Sequence, residues 1–223
     1  KIRYKRQYAF GGLRMDTQSI AGEQRIVLEN IRWQTFEMLL EDLGDNRAAL
    51  LAYDKGLLEI MSPLMSHEYY NRLIDRLIFV LAEELNLEIK SVGSMTCKRQ
   101  DLERGIEPDS SYYIQNEPLM KARTELDLTQ DPPPDLVVEV DFSSQSLDKF
   151  PIYKALGVPE VWRYRRGLLQ INLWREGEYV LSEVSPTFAN LPLTEIPQFL
   201  QQSTEVGELG MVRAFRLWVR ERI

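Results

Sequence analysis

Two acidic residues stand where a buried strand is expected. The run Leu136-Val137-Val138-Glu139-Val140-Asp141 has the apolar, β-branched content of a core strand. Alternate residues of a strand share a face, so Leu136, Val138 and Val140 point one way and Val137, Glu139 and Asp141 the other. A solvated sheet face would account for the acids, but Val137 among them argues that this face is not simply polar. Asp109, after Pro108, opens a second expected strand (PDSSYYIQ). If the two strands are neighbours, Asp109 and Glu139 lie about 5 Å apart. Carboxylates that close repel in the absence of a cation, and hard oxygen ligands suit Mg²⁺. Lys149 follows after a link long enough to leave the strand end and enter a helix. A helix starting near Ser146 would return Lys149 to the carboxyl end of the strand, above the acid pair. The plain alternative is a surface lysine.

The elements that must position these residues can be read from periodicity. Residues 30–44 have helical apolar spacing, with Gly44 as the stop. Residues 48–63 read as two short strands around Asp54-Lys55-Gly56. A long helix from about His67 to about Asn86 carries Leu73, Ile74, Leu77, Ile78 and Leu81 on one stripe, with Ser66 as its N-cap. Residues 88–100 suit a strand, and a polar, proline-rich connection runs over 116–134. A helix around 146–156 accommodates Pro151 only in its first turn. Strands split by turns at Gly167 and Gly177 follow, then a proline-spaced tail ending in an amphipathic helix from about Val206. Trp162, Trp174 and Trp218 read as core or interface aromatics. Arg163, Arg165 and Arg166 lie on or beside a turn, as a phosphate-contacting patch or a solvated turn. The order implies an α/β or α+β layer around a central sheet.

Composition bounds the rest. The chain has 223 residues, 44% of them hydrophobic, which fits one elaborated domain. We expect an N-terminal arm or appended residues over 1–24 and a single domain over 25–223, with its core at about 48–175 and a C-terminal extension over 180–223. A formal net charge of −7 argues against non-specific coating of DNA, but leaves room for a local basic groove. Cys97 is the only cysteine, so no internal disulfide forms, and a reducing, cytoplasmic location is expected. No apolar run approaches the roughly 18 residues of a membrane span, and no signal peptide is visible: the basic start is not followed by an apolar stretch. There is no GxSxG elbow, no Walker A loop and no second histidine for a zinc site.

Together, GLLEIMSPLMSHE, EPDSSYY, PPPDLVVEVDFSSQSLDKFPIYKALGVPEVWRY and the tryptophan strand after them resemble a bacterial restriction-endonuclease-like family of the PD-(D/E)XK nuclease superfamily. The resemblance covers about residues 30–200 and is densest over 132–164. It implies a restriction-endonuclease-like fold, a mixed central sheet of about four core strands flanked by helices, with the site at one sheet edge. It implies a DNA substrate and a homodimer. It also implies that Asp109 and Glu139 ligate Mg²⁺, or Mn²⁺, with the Val140 carbonyl as a third ligand, and that Lys149 orients or deprotonates the attacking water. The sequence departs from the pattern at one place. Asp141 stands where the E-x-K lysine belongs, and would either be a third metal ligand or hold Lys149 by a salt bridge. Many nucleases of this fold add a glutamate from the first core helix, which favours Glu68. Helix phase instead turns Glu68 away from the apolar stripe and keeps His67 near it, so His67 is the preferred secondary candidate, with capping or packing as its other reading. Two further functions compete: a catalytically inactive binding or regulatory module on the same fold, and another metal-assisted hydrolase.

Overall fold

The computed structural model describes residues 7–10, 13–19, 24–44, 48–142, 147–188 and 191–223. Strands β1 (Gln7–Phe10), β2 (Leu13–Ser19) and β3 (Gln24–Leu28) come first, then helix α1 (Trp33–Leu43). Thus β1 and β2 fall within the expected arm, whose residues 1–6, 11–12 and 20–23 lie outside the described residues. Strands β4 (Leu50–Asp54) and β5 (Leu57–Ser62) form the expected hairpin. Its loop residues Lys55 and Gly56 both take positive φ, 46° and 96°, the type I′ geometry that matches strand twist. Helix α2 (Met65–Glu84) follows. Its N-cap is Leu64 rather than Ser66, because the extended backbone after Pro63 turns helical one residue later and no side chain caps it.

The expected strand over 88–100 is instead two, β6 (Lys90–Ser91) and β7 (Cys97–Arg99), which pair into different sheets. Then come β8 (Arg104–Ile106), β9 (Ser110–Tyr113), a short helix α3 (Glu117–Met120), β10 (Leu136–Asp141) and α4 (Phe150–Leu156). Helix α4 starts later than expected: Lys149 is its N-cap and Pro151 sits in its first turn, where no backbone N–H is needed. Ser146, the expected start, is outside the described residues. Strands β11 (Glu160–Arg165), β12 (Leu168–Arg175) and β13 (Glu178–Ser182) form a meander. Arg163 lies within β11 and Arg165 ends it, beside the turn at Arg166 and Gly167, as expected. The final helix α5 (Ile196–Arg220) is two helical stretches broken at Gly207 (φ 74°, ψ 166°), the second beginning about where the amphipathic helix was expected and the first preceding it.

The expected mixed α+β architecture holds, with its strands in two sheets flanked by helices. The first has the order β1-β2-β3-β5-β4-β8-β7, the second β13-β12-β11-β10-β9-β6. The second is mixed: β10 runs parallel to β11, and its other pairs are antiparallel. The two faces of β10 explain its sequence. Leu136, Val138 and Val140 pack with Leu73, Leu77 and Leu81 of α2 and Phe215 of α5 in the largest apolar core. On the opposite face, Val137 packs with Ile152 and Tyr153 of α4 and with Ala52, Cys97 and Ile106 of the first sheet. Both faces are thus covered, and all six residues of β10 are buried. The solvated-face reading of Glu139 and Asp141 fails for that reason. A third core joins α1 to the first sheet through Trp33, Phe36, Tyr53 and Leu58. Trp162 and Trp218 are core residues, as expected, while Trp174 is half-buried.

Candidate active site

The acid pair sits on adjacent chain segments. β9 and β10 pair antiparallel with Ser110 opposite Val138, so the register carried one step further sets Asp109 opposite Glu139. Asp109 Oδ2 accepts a 2.7 Å hydrogen bond from the backbone N–H of Val140, which ties the two segments together beside Glu139. Helix α2 fixes the Asp109 backbone: Asn71 Nδ2 donates to the Asp109 carbonyl at 3.0 Å, and Ser110 Oγ donates to Asn71 Oδ1 at 3.0 Å. One helical turn before Asn71, His67 places Nε2 3.1 Å from Asp109 Oδ2. The helix-phase argument therefore holds in geometry: His67 is buried at the site, while Glu68 is exposed and pairs with Arg72. Asp135 does not join the site. Its carboxylate caps the Ile114 and Asn116 backbone N–H groups.

Lys149 closes the other side. Its Nζ lies 2.5 Å from Glu139 Oε2, with side-chain exposures of only 6% and 4%. One helical turn later on α4, the Tyr153 hydroxyl donates to Glu139 Oε1. Burial alone would depress the Lys149 ammonium, but the charges of Glu139, Asp109 and Glu59 hold its pKa above the ordinary lysine value. Burial and the nearby Asp109 push Glu139 up to about 7, against the pull of Lys149. Burial also acts to raise Asp109, but the His67 contact, the Lys149 charge and the Val140 N–H outweigh it and leave Asp109 below its usual range. Burial and the Glu139 charge raise the Tyr153 phenol well above its ordinary value, so it stays a donor.

Asp141 belongs to a second network. Arg163 Nε donates to its Oδ2 at 2.5 Å, and Arg25 Nη2 stands 3.9 Å from its Oδ1. Arg25 in turn donates to Glu59 Oε1 at 3.0 Å. Asp141 therefore does not hold Lys149, which is on Glu139. Its salt bridge is with arginine, because β11 brings Arg163 alongside β10 in parallel register. This network spans both sheets, from β3 and β5 to β10 and β11. Arg165 ends β11 and Arg166 lies in the turn after it.

Among the described residues no group of three or more His, Cys, Asp or Glu side chains is arranged to hold a metal ion. The donor set nevertheless fits Mg²⁺ or Mn²⁺ in the form that rests on one or two carboxylates, with water and substrate oxygens completing the shell. Asp109 Oδ1 is buried and has no hydrogen-bond partner among the described residues, a costly state for a carboxylate oxygen that a cation would relieve.

Tyr153, Asn71, Glu59 and Arg25 are contributors that sequence reasoning missed, as is the role of Arg163 beside Asp141. Two carried a usable signal: Asn71 and Tyr153 fall four residues after His67 and Lys149, hence on the same helix faces. The other three are joined by pairings between distant strands.

A family model described as "Putative restriction endonuclease", Uma2, matches residues 33–205. The structure is similar to a crystal structure of a putative nuclease belonging to DUF820 from Anabaena variabilis ATCC 29413. The identity is 13% and the TM-score 0.48, over 85% of this chain and 99% of that one, too distant a likeness to carry an argument. A search of the curated proteins finds no match.

Proposed function

Since the chain belongs to the Uma2 family of putative restriction endonucleases, we propose that it is a divalent-metal-dependent endonuclease that hydrolyses phosphodiester bonds in DNA. The observation that carries this reading is the buried acid pair beside a buried ammonium: Asp109, Glu139 and Lys149 are 5%, 3% and 5% exposed. Asp109 and Glu139 would hold Mg²⁺ or Mn²⁺. When bound, such an ion supplies Lewis acidity toward a phosphate oxygen and lowers the pKa of water.

The protein's own groups do the rest. His67 and the Val140 N–H both address Asp109 Oδ2, which fixes the carboxylate and leaves Oδ1 for a ligand. Lys149 is held protonated at neutral pH, so its role is to orient the water and stabilise charge developing on the phosphate, not to act as the base. Tyr153 keeps the rotamer of Glu139 by donating to it. Asp141 is no ligand in this scheme. With Arg163 it braces the strand that carries Glu139.

A homodimer is part of the proposal. Helix α5 buries Met211, Phe215 and Trp218 in its own domain but leaves Leu209 and Leu217 70% and 60% exposed. Light scattering should give twice the 26.1 kDa chain mass. Among the described residues no helix is long and apolar enough to cross a membrane.

The test is cleavage of supercoiled, linear duplex, single-stranded and branched DNA with Mg²⁺ or Mn²⁺. The proposal expects cleavage of at least one substrate, abolished by EDTA. A folded protein that cleaves none of them and binds no divalent ion would leave the inactive binding module as the better reading.

A further inference from the structure

A second feature lies on the far side of the N-terminus of α4. A cleft of about 740 Å³ opens there, within the size range of ligand sites. Its walls include Phe150, Trp174 and Tyr179. The rings form a chain: Phe150 to Tyr179 at 5.2 Å and Tyr179 to Trp174 at 5.3 Å between centroids. The Tyr179 hydroxyl is tied to the Val158 carbonyl at 2.6 Å, which fixes that ring. Exposed Lys154 stands with Nζ 5.4 Å from the Trp174 ring centre.

Asn172 also lines the cleft and is only 7% exposed. Its Nδ2 donates to the carbonyls of Val161 and Gln170, at 3.2 and 3.3 Å, which fixes the orientation of the amide. No hydrogen bond to its Oδ1 is made among the described residues, so an oriented acceptor is available to a ligand. Rings that can stack, one fixed acceptor and one mobile cation are what recognition of an unpaired nucleobase uses.

The cleft adjoins the acid cluster. Asp148 and Phe150 line it, and Lys149 between them points to Glu139. The Arg163 guanidinium lies 5.9 Å from the Phe150 ring, so this ring separates the cleft from the Asp141 network. We infer that this cleft binds an unpaired base of the DNA strand being cut, stacked on Phe150, Tyr179 or Trp174, with its exocyclic amine on Asn172 Oδ1 and Lys154 moved to an adjacent phosphate. The inference rests on the nuclease reading and narrows it to single-stranded, frayed or flipped-out substrate.

Trp174 is the only half-buried tryptophan; Trp33, Trp162 and Trp218 are 2%, 0% and 8% exposed. Its fluorescence therefore reports on the cleft. Titration of the wild type in EDTA should show quenching by dAMP and none by deoxyribose 5-phosphate, and Trp174→Leu should lose the response while keeping its far-UV spectrum. On single-stranded oligodeoxyadenylate with Mg²⁺ or Mn²⁺, Trp174→Leu should raise KM about tenfold with kcat unchanged. On an oligomer of abasic residues it should leave KM unchanged. Absence of quenching by dAMP, or equal quenching by the sugar phosphate, overturns the base pocket. So does an unchanged KM on oligodeoxyadenylate in an active enzyme. If the wild type cleaves nothing, the nuclease reading falls and the dAMP titration alone judges the cleft.

Discussion

Replacing Lys149 by methionine removes an ammonium without emptying its space, and the structure sets what should follow. Nζ is 2.5 Å from Glu139 Oε2 and both side chains are almost fully buried. Breaking one side of such a pair is expected to destabilise by about 3–5 kcal/mol. The loss should depend on pH in a defined way. Burial and Asp109 already hold Glu139 up to about 7 in the folded wild type, above its unfolded value of 4.5. A carboxyl whose folded pKa exceeds its unfolded one detracts from stability as pH rises through that window, and the effect levels off above the folded pKa. Without Lys149 the folded pKa of Glu139 moves higher still, so the levelling is delayed. Below about pH 6 Glu139 is largely protonated in both proteins, and their stability gap should be constant. Above pH 7 the gap should widen by about 1.4 kcal/mol per pH unit. Urea unfolding of metal-free protein at half-unit steps from pH 5.5 to 8.5 measures this. Adding Glu139→Gln to Lys149→Met should abolish the widening. A gap that is flat across the range, or narrows above pH 7, would refute the buried coupling of the two groups.

Tyr153→Phe removes a hydrogen bond from a buried carboxylate and should destabilise by about 1.5–3 kcal/mol; because that bond favours the ionised form, its loss should also shift the acid limb of a cleavage–pH profile upward. Stabilisation by Mg²⁺, read as the rise in melting temperature at fixed ion concentration, should be small at pH 5.5 and grow through pH 7 as Glu139 ionises. Arg163→Met should leave buried Asp141 without its 2.5 Å partner and lower stability by about 3–5 kcal/mol in chemical unfolding. Gly105→Ala puts a Cβ 2.6 Å from Phe36 Cε1, and the overpacked core should lose about 1–3 kcal/mol in the same assay.

The legible parts of the fold were those encoded locally. The alternation of Leu136 to Asp141 separated the two faces of β10, and helix phase separated His67 from Glu68, because both are short-range periodicities. Asp109 and Glu139 came together because Pro108 marked one strand start and the apolar run marked the other. The second sheet was not legible. Whether Lys90-Ser91 pairs with β9 while Cys97–Arg99 pairs with β8 depends on contacts that no local pattern carries. The same holds for Asp141. Its partner Arg163 reaches it only through a parallel crossover, which no local pattern carries. Tyr153 packs in the core beneath α4, and its hydroxyl, reaching Glu139 across that packing, needs the structure to be seen.

The most direct measurement puts metal binding and cleavage on one preparation: Mn²⁺ bound at equilibrium, by electron paramagnetic resonance, and nicking of supercoiled plasmid, for wild type and Asp109→Asn. The account predicts that the wild type binds Mn²⁺ and nicks. The variant, folded by circular dichroism, should lose the bound ion and about 10²-fold or more of the nicking rate. An Asp109→Asn protein that binds Mn²⁺ and nicks like the wild type would contradict it.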